Sequence, residues 1–151
     1  MNKRFNKKKI GIFALILILI IVGIVVAFPN NKQDDVKIGA ILPLSGDYSI
    51  IGTEIKNGME LAKYEIAMDG FDVNIIYEDD ESFLPRAVVN AANKLVNIDK
   101  VDVALTAIVE EAKPSSNIFN DNEVPLVIVW DSNRYIKEGG NYLFRDRKSV
   151  V

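Results

Sequence analysis

Neither cysteine nor histidine occurs among the 151 residues of the chain. Their absence removes the thiol nucleophile, the general base that enzymes use most often, and the usual zinc ligands. It also rules out disulfides, which a domain of this size does not need even in an oxidising compartment. We therefore expect a protein that is not an enzyme and that carries no metal or cofactor.

Glycine motifs for nucleotide binding are missing as well. Gly39, Gly46 and Gly52 lack the spacing of a dinucleotide-binding loop, and there is no Walker loop. The acidic run 78–81 (Glu-Asp-Asp-Glu) has the composition of a cation site. Four adjacent carboxylates, however, do not converge as those of a calcium loop do. We interpret the run as a strand end that leads into a helix start, where carboxylates are favourable.

Acidic residues are absent from the start of the chain. Through Lys32 there are six basic residues and no acidic one, which leaves 12 basic against 21 acidic residues and a net charge of −9 for the remainder. An acidic domain without a basic stripe does not fit nucleic acid or an anionic lipid surface as a partner.

A long apolar run indicates the compartment. Residues 10–28 form 19 consecutive apolar residues behind the basic flank 1–9. This length is sufficient to span a bilayer, and the flank is expected to stay in the cytoplasm. We predict a single-pass cell-membrane protein whose remaining part, after the polar linker 29–35, is extracytoplasmic. Cleavage after Ala27 would instead give a secreted protein.

Apolar strand patterns alternate with helical patterns from residue 36 onward. The predicted strands are 36–42, 71–77, 101–108, 125–129 and 142–144, and the predicted helices are 53–68, 85–98 and a shorter 115–120. Such alternation predicts an α/β fold with a parallel sheet and helices on both of its faces.

The stretch 37–62 is the most informative. An apolar strand stops at Pro43, a short loop (Leu-Ser-Gly-Asp-Tyr) follows, and the next helix contains Gly-Met-Glu-Leu-Ala. This order resembles the solute-binding proteins of the branched-chain amino-acid (Leu/Ile/Val) type, which serve ABC importers. The resemblance covers 36–145 and implies the incomplete first lobe of a type I periplasmic-binding fold. It implies capture of a small polar solute, such as an amino acid, between two lobes and delivery to an ABC permease in the membrane. The sensory ectodomain of a membrane signalling receptor uses the same fold and is the alternative.

The resemblance also implies a ligand wall of three loops at the carboxyl ends of strands, where ligands collect in open α/β sheets. The candidate ligand-binding residues are Ser45, Tyr48, Thr106, Trp130 and Ser132. In relatives, small hydroxyl residues in the loop after the third strand hold the carboxylate of an amino acid. Here Glu110 and Glu111 follow that strand instead, and we expect their charges to repel such a group.

The last six residues, 146–151 (Asp-Arg-Lys-Ser-Val-Val), correspond in codons to the start of a widely used sequencing adapter that includes a stop codon. We interpret them as a translated adapter that follows a partial lobe, with the second lobe missing from this sequence.

Overall fold

Five strands alternate with helices in the computed structural model, which describes residues 35–130 and 134–146. The strands are β1 (Val36–Leu42), β2 (Val73–Asp79), β3 (Val103–Thr106), β4 (Leu126–Ile128) and β5 (Leu143–Arg145), and the α-helices are α1 (Ser49–Met68), α2 (Pro85–Asn93) and α3 (Val109–Asp121). Helix α2 continues as a π-helical segment (Lys94–Asp99), and a 3-10 turn (Arg134–Lys137) precedes β5.

Several predictions fall outside the described residues. They concern the flank 1–9, the apolar segment 10–28, the linker 29–35 except its last residue, Ser132, and the tail 146–151 except its first residue. Within the described ranges, no helix is both long enough and apolar enough to cross a bilayer.

All strands of the sheet are parallel, in the order β2-β1-β3-β4-β5. The chain moves outward from β1 to β2, then returns to the other side of β1 with β3. The direction of winding therefore reverses between β1 and β3. In doubly wound sheets the carboxyl ends of the strands at such a reversal border the crevice in which ligands bind. Register brings Ile41 of β1 opposite Thr106 of β3 at this end.

Helices cover both faces of the sheet, as predicted. On one face, Leu95 after α2 and Phe119 of α3 pack with Ile41 in a fully buried cluster. On the other face, Ile55 and Met59 of α1 pack against a smaller cluster that contains Ala40, Leu42 and Ala107. The sheet is thus held from both sides, which fixes the direction in which its strand ends point.

Helix α1 begins at Ser49, four residues before the predicted start at 53. Glycine in the interior of a helix usually weakens it. In the structure Gly52 is buried inside the helix, where a Cβ would lie 2.1 Å from the carbonyl oxygen of Pro43. Glycine is therefore needed for close approach of the helix to the loop that precedes it.

Helix α3 is 13 residues long and begins at Val109, so the prediction of a short helix over 115–120 was wrong. Pro114 lies inside it, although proline usually interrupts a helix interior. The first turn is stabilised by Glu111, whose Oε2 accepts a 2.9 Å hydrogen bond from the amide of Ile108. This N-terminal cap, together with the burial of Val109 and Ala112, favours the longer helix.

Candidate solute-binding edge

The carboxyl edge of the sheet is formed by the ends of β1 to β4 and by the residues that follow them. These are the first loop (43–48), the second loop (80–84), the third loop (107–108) and residues 129–130. Asp79, the last residue of β2, organises the first of these loops. Its Oδ1 accepts hydrogen bonds from the amides of Leu44 (2.9 Å), Ser45 (3.2 Å) and Glu81 (2.9 Å). Burial alone would raise the pKa of Asp79, but the Ser45 hydroxyl and these amides outweigh it and hold the pKa below its usual value.

A second connection between the first two loops is made by Ser82. Its hydroxyl donates to the carbonyl oxygen of Ser45 (2.8 Å) and accepts from the amide of Tyr48 (3.2 Å). The rings of Tyr48 and Phe83 lie 4.8 Å apart between centroids, a distance typical of aromatic pairs. To hold this position the chain adopts positive φ at three consecutive non-glycine residues, from Glu81 to Phe83. Such backbone is unfavourable for residues with a side chain, so the loop is maintained by its contacts.

Three of the four carboxylates in the acidic run 78–81 bind other groups of the protein. Glu78 pairs with Lys94, Asp79 holds the first loop, and Asp80 accepts a 2.8 Å hydrogen bond from the amide of Phe83. Glu81 is exposed at the start of the left-handed stretch. The carboxylates diverge to different partners, and within the described residues no group of three metal-ligating side chains converges.

The third loop joins β3 to α3. Thr106 is fully buried at the end of β3, and its hydroxyl donates to the carbonyl oxygen of Ile108 at 3.4 Å. Glu111 is fully buried too, one turn into α3, with its carboxyl group on the amide of Ile108. The carboxyl group thereby accepts a hydrogen bond from a backbone amide at the start of α3, which is a preferred position for anions.

Glu111 and Asp80 form a buried pair of carboxyl groups. Neither Glu111 Oε1 nor Asp80 Oδ2 receives a hydrogen bond from an amide, an ammonium group or a hydroxyl within the described part of the chain. The pKa of Glu111 is raised to about 10, mainly by burial and also by the hydrogen bond and the charge of Asp80, against the opposing effect of the amides of Ile108 and Ala107. Glu111 is therefore neutral at pH 7, and its protonated carboxyl group is able to donate a hydrogen bond to Asp80. The expectation that Glu111 contributes a repulsive charge here was wrong, because burial keeps it protonated.

Trp130 follows β4 beside the third loop. Its amide donates to the carbonyl oxygen of Ala107 (3.0 Å), as that of Val129 does to Thr106 (3.0 Å). The side chain is 55% exposed, so a large aromatic surface remains available next to the start of α3.

The structure brings four of the five predicted site residues to one edge. Ser45 and Tyr48 lie on the first loop. Thr106 ends the neighbouring strand β3, and the amide of Trp130 donates a hydrogen bond to the loop after Thr106. Tyr48 is 47% exposed, whereas Thr106 has no exposed surface. A role for each of them in binding remains a prediction, and Ser132 is not among the described residues.

Comparison with known proteins agrees with this architecture. The model of the family described as "Periplasmic binding protein" matches residues 35–146, about three quarters of the chain. The chain belongs to the periplasmic binding protein family.

Individual members of the family show the same relationship. Leu/Ile/Val-binding protein homolog 2 of Brucella abortus (strain 2308) is 28% identical over 113 residues, which are 72% of this chain and 30% of that protein. A leucine-binding protein from Thermotoga maritima MSB8 has 26% identity and a TM-score of 0.66, over 73% of this chain and 32% of its own. An ABC-transporter solute-binding protein from Rhodopseudomonas palustris BisB5, in complex with 3,4-dihydroxybenzoic acid, has 25% identity and a TM-score of 0.67, over 74% and 31%. The chain thus spans about a third of the length of these periplasmic binding proteins.

Three residues that organise the edge were not identified from the sequence, namely Asp79, Ser82 and Glu111. The sequence predicts a strand end at Asp79 and a charge that repels an anionic ligand at Glu111, but not the hydrogen bonds that either carboxyl group makes. A signal existed for Glu111, because a glutamate three residues after a candidate helix N-cap is typical of a capping box. The N-cap position is held by Ile108, which lacks the usual polar side chain, and this concealed the pattern.

Proposed function

We propose that the chain is the first lobe of an extracytoplasmic receptor that captures a small organic solute and delivers it to an ABC permease. The observation that carries the proposal is the reversal of strand order between β1 and β3, the place where doubly wound sheets bind ligands, in a chain of this family. Around the crevice, hydrogen bonds and ring contacts fix the loops before any ligand arrives. Loops held in this way lose little freedom on binding, which favours affinity.

The relatives support a small solute. One relative is named for leucine, isoleucine and valine, a second is named for leucine, and the structure of a third is a complex with a dihydroxybenzoic acid. We propose a solute of similar size for this chain, bound between residues of the carboxyl edge and a second lobe. Ser45, Tyr48, Thr106, Trp130 and Ser132 are the proposed first-lobe contacts or supports. No observation on the described residues favours the sensory-receptor alternative.

The test is binding and uptake with the full-length protein. Titration calorimetry against a panel of amino acids, amines and aromatic acids should find one class that binds in the micromolar range or tighter. Deletion of the gene should abolish uptake of the same labelled compound, and its return should restore uptake. Tight binding without any loss of uptake would contradict the importer role while leaving the binding role intact.

We also propose that 10–28 is a membrane anchor preceded by the cytoplasmic flank 1–9, and that 36–145 is the solute-binding part. Charge supports this arrangement, because the flank is basic and the remainder is acidic. The linker 29–35 would then separate the bilayer from β1.

A further inference from the structure

The start of α3 is already occupied by a carboxyl group of the protein itself. Free amides at a helix N-terminus, helped by the helix dipole, are a ready position for an anionic ligand. In this chain the Ile108 amide donates to Glu111 Oε2 at 2.9 Å, and Glu111 is fully buried. A carboxylate of a solute would have to compete with an internal group that is covalently attached and held by Asp80.

The exposed charges of the same edge are negative. Asp47, Glu81 and Glu110 are exposed on the first loop, on the second loop and in the first turn of α3. The sequences of the three loops with the first turn of α3 (43–48, 80–84 and 107–110) contain no lysine or arginine. An anionic solute would meet unfavourable charges on all three loops, whereas a cation would meet favourable ones.

Exposed aromatic side chains follow β1 and β4 at the same edge. Trp130 is bonded through its amide to Ala107, directly beside the start of α3, and more than half of its side chain is exposed. Tyr48 lies on the other side of the crevice, paired with Phe83. Aromatic faces attract cations, and tryptophan does so most strongly.

We propose that this lobe recognises a solute that presents a cationic nitrogen to Glu110 and an apolar or aromatic body to Trp130 and Tyr48. In this arrangement Glu111 is a positioning residue: it holds the start of α3 and withholds the Ile108 amide from anions. The inference rests on the proposed function and names the chemical class of its solute.

The experiment compares probes that differ in one charged group, each titrated calorimetrically into the full-length protein at pH 7. The two pairs are isoleucine with isoleucinamide, and 4-hydroxybenzoate with 4-hydroxybenzamidine. In each pair the second compound keeps the body but replaces the carboxylate by a neutral or a cationic group. We expect the second compound to bind at least about tenfold more tightly, the usual effect of one charge-assisted hydrogen bond.

Variants then assign the preference to a residue. Glu110→Gln should reduce the affinity for 4-hydroxybenzamidine about tenfold and leave that for 4-hydroxybenzoate nearly unchanged. It should weaken the binding of isoleucine and isoleucinamide alike, because both carry an α-ammonium group. Glu65→Gln, an equal change of charge at an exposed position of α1, is the matched control and should alter neither affinity. Glu111→Ser, if it folds, should free the Ile108 amide and raise the affinity for 4-hydroxybenzoate.

Tighter binding of isoleucine or 4-hydroxybenzoate than of its partner would overturn the inference. An unchanged ratio between the affinities for 4-hydroxybenzamidine and 4-hydroxybenzoate in Glu110→Gln would overturn it as well. Either result would still support solute binding and hence the proposed function. Failure of both isoleucinamide and 4-hydroxybenzamidine to bind would also overturn the inference, while the uptake assay decides separately on the importer role.

Discussion

At the scale of single residues, the carboxyl edge depends on acidic side chains that bind backbone amides. Asp79 receives three amides from two loops, so one side chain determines where 44–45 lie relative to β2. Polar groups left without partners destabilise the folded state, and this makes the position testable by truncation.

Asp79→Ala should lower the free energy of unfolding by about 1–2 kcal/mol, because three amides lose their acceptor and water replaces it only partly. Urea unfolding followed by circular dichroism measures the change. Asp72→Ala, at an exposed position just before β2, is the matched control and should change the free energy by less than about 0.5 kcal/mol. Equal effects of the two substitutions would show that the amide contacts contribute nothing.

Glu111 gives a prediction with a defined sign. Its pKa is raised from 4.5 to about 10, so between these values the folded protein holds a proton that the unfolded chain has released. The contribution to stability is therefore fully present below about pH 4.5 and is lost as pH rises toward 10, by up to about 1.4 kcal/mol per pH unit.

Glu111→Gln should abolish this part of the pH dependence, because the amide can donate to Asp80 and accept from Ile108 without taking up a proton. Denaturation at several pH values from 5 to 9 should show a flatter profile than in the parent protein, with higher stability at the alkaline end. Glu110→Gln, one residue earlier and exposed, should retain the parental slope. The same slope in the parent and in Glu111→Gln would mean that Glu111 is ionised in the folded state.

At the scale of elements, the approach of α1 to the loop before it is set by Gly52. A methyl group at this position would overlap the Pro43 carbonyl oxygen, so Gly52→Ala should destabilise the protein by about 1–3 kcal/mol through overpacking. Gly58→Ala in the same helix meets open space and should stabilise by about 0.5–1 kcal/mol, since alanine favours helices. Thermal unfolding of both variants measures the difference, and a neutral Gly52→Ala would contradict the close packing.

The elements themselves were largely predictable. Strand β1 has the predicted bounds, and the sheet and its helices follow from apolar periodicity, which reports burial directly. The errors lie where a contact between distant residues decides the outcome. A glycine inside a helix and a buried glutamate are both unexpected from the local sequence. The Pro43 carbonyl oxygen explains Gly52, and the Asp80 carboxyl group explains Glu111. The exposure of Trp130 and the burial of Thr106 could not be predicted from the sequence either, because residues from other strands determine both.

At the scale of the whole molecule, the proposed anchor 10–28 predicts where the protein is found. The expressed protein should sediment with membranes and resist extraction by salt, because an apolar segment of this length is stable only in the bilayer. Cell fractionation followed by amino-terminal sequencing tests the prediction. A soluble product that begins at Phe28 would show cleavage after Ala27 instead.

The buried carboxyl pair also makes folding a proton-binding reaction. Near neutral pH each molecule that folds takes up a proton at Glu111, and each that unfolds returns it to the solvent. The buffer absorbs that proton, and its heat of ionisation adds to the heat of unfolding. Scanning calorimetry in phosphate and in Tris at the same pH should therefore give different apparent enthalpies, whereas Glu111→Gln should show a smaller difference between the two buffers.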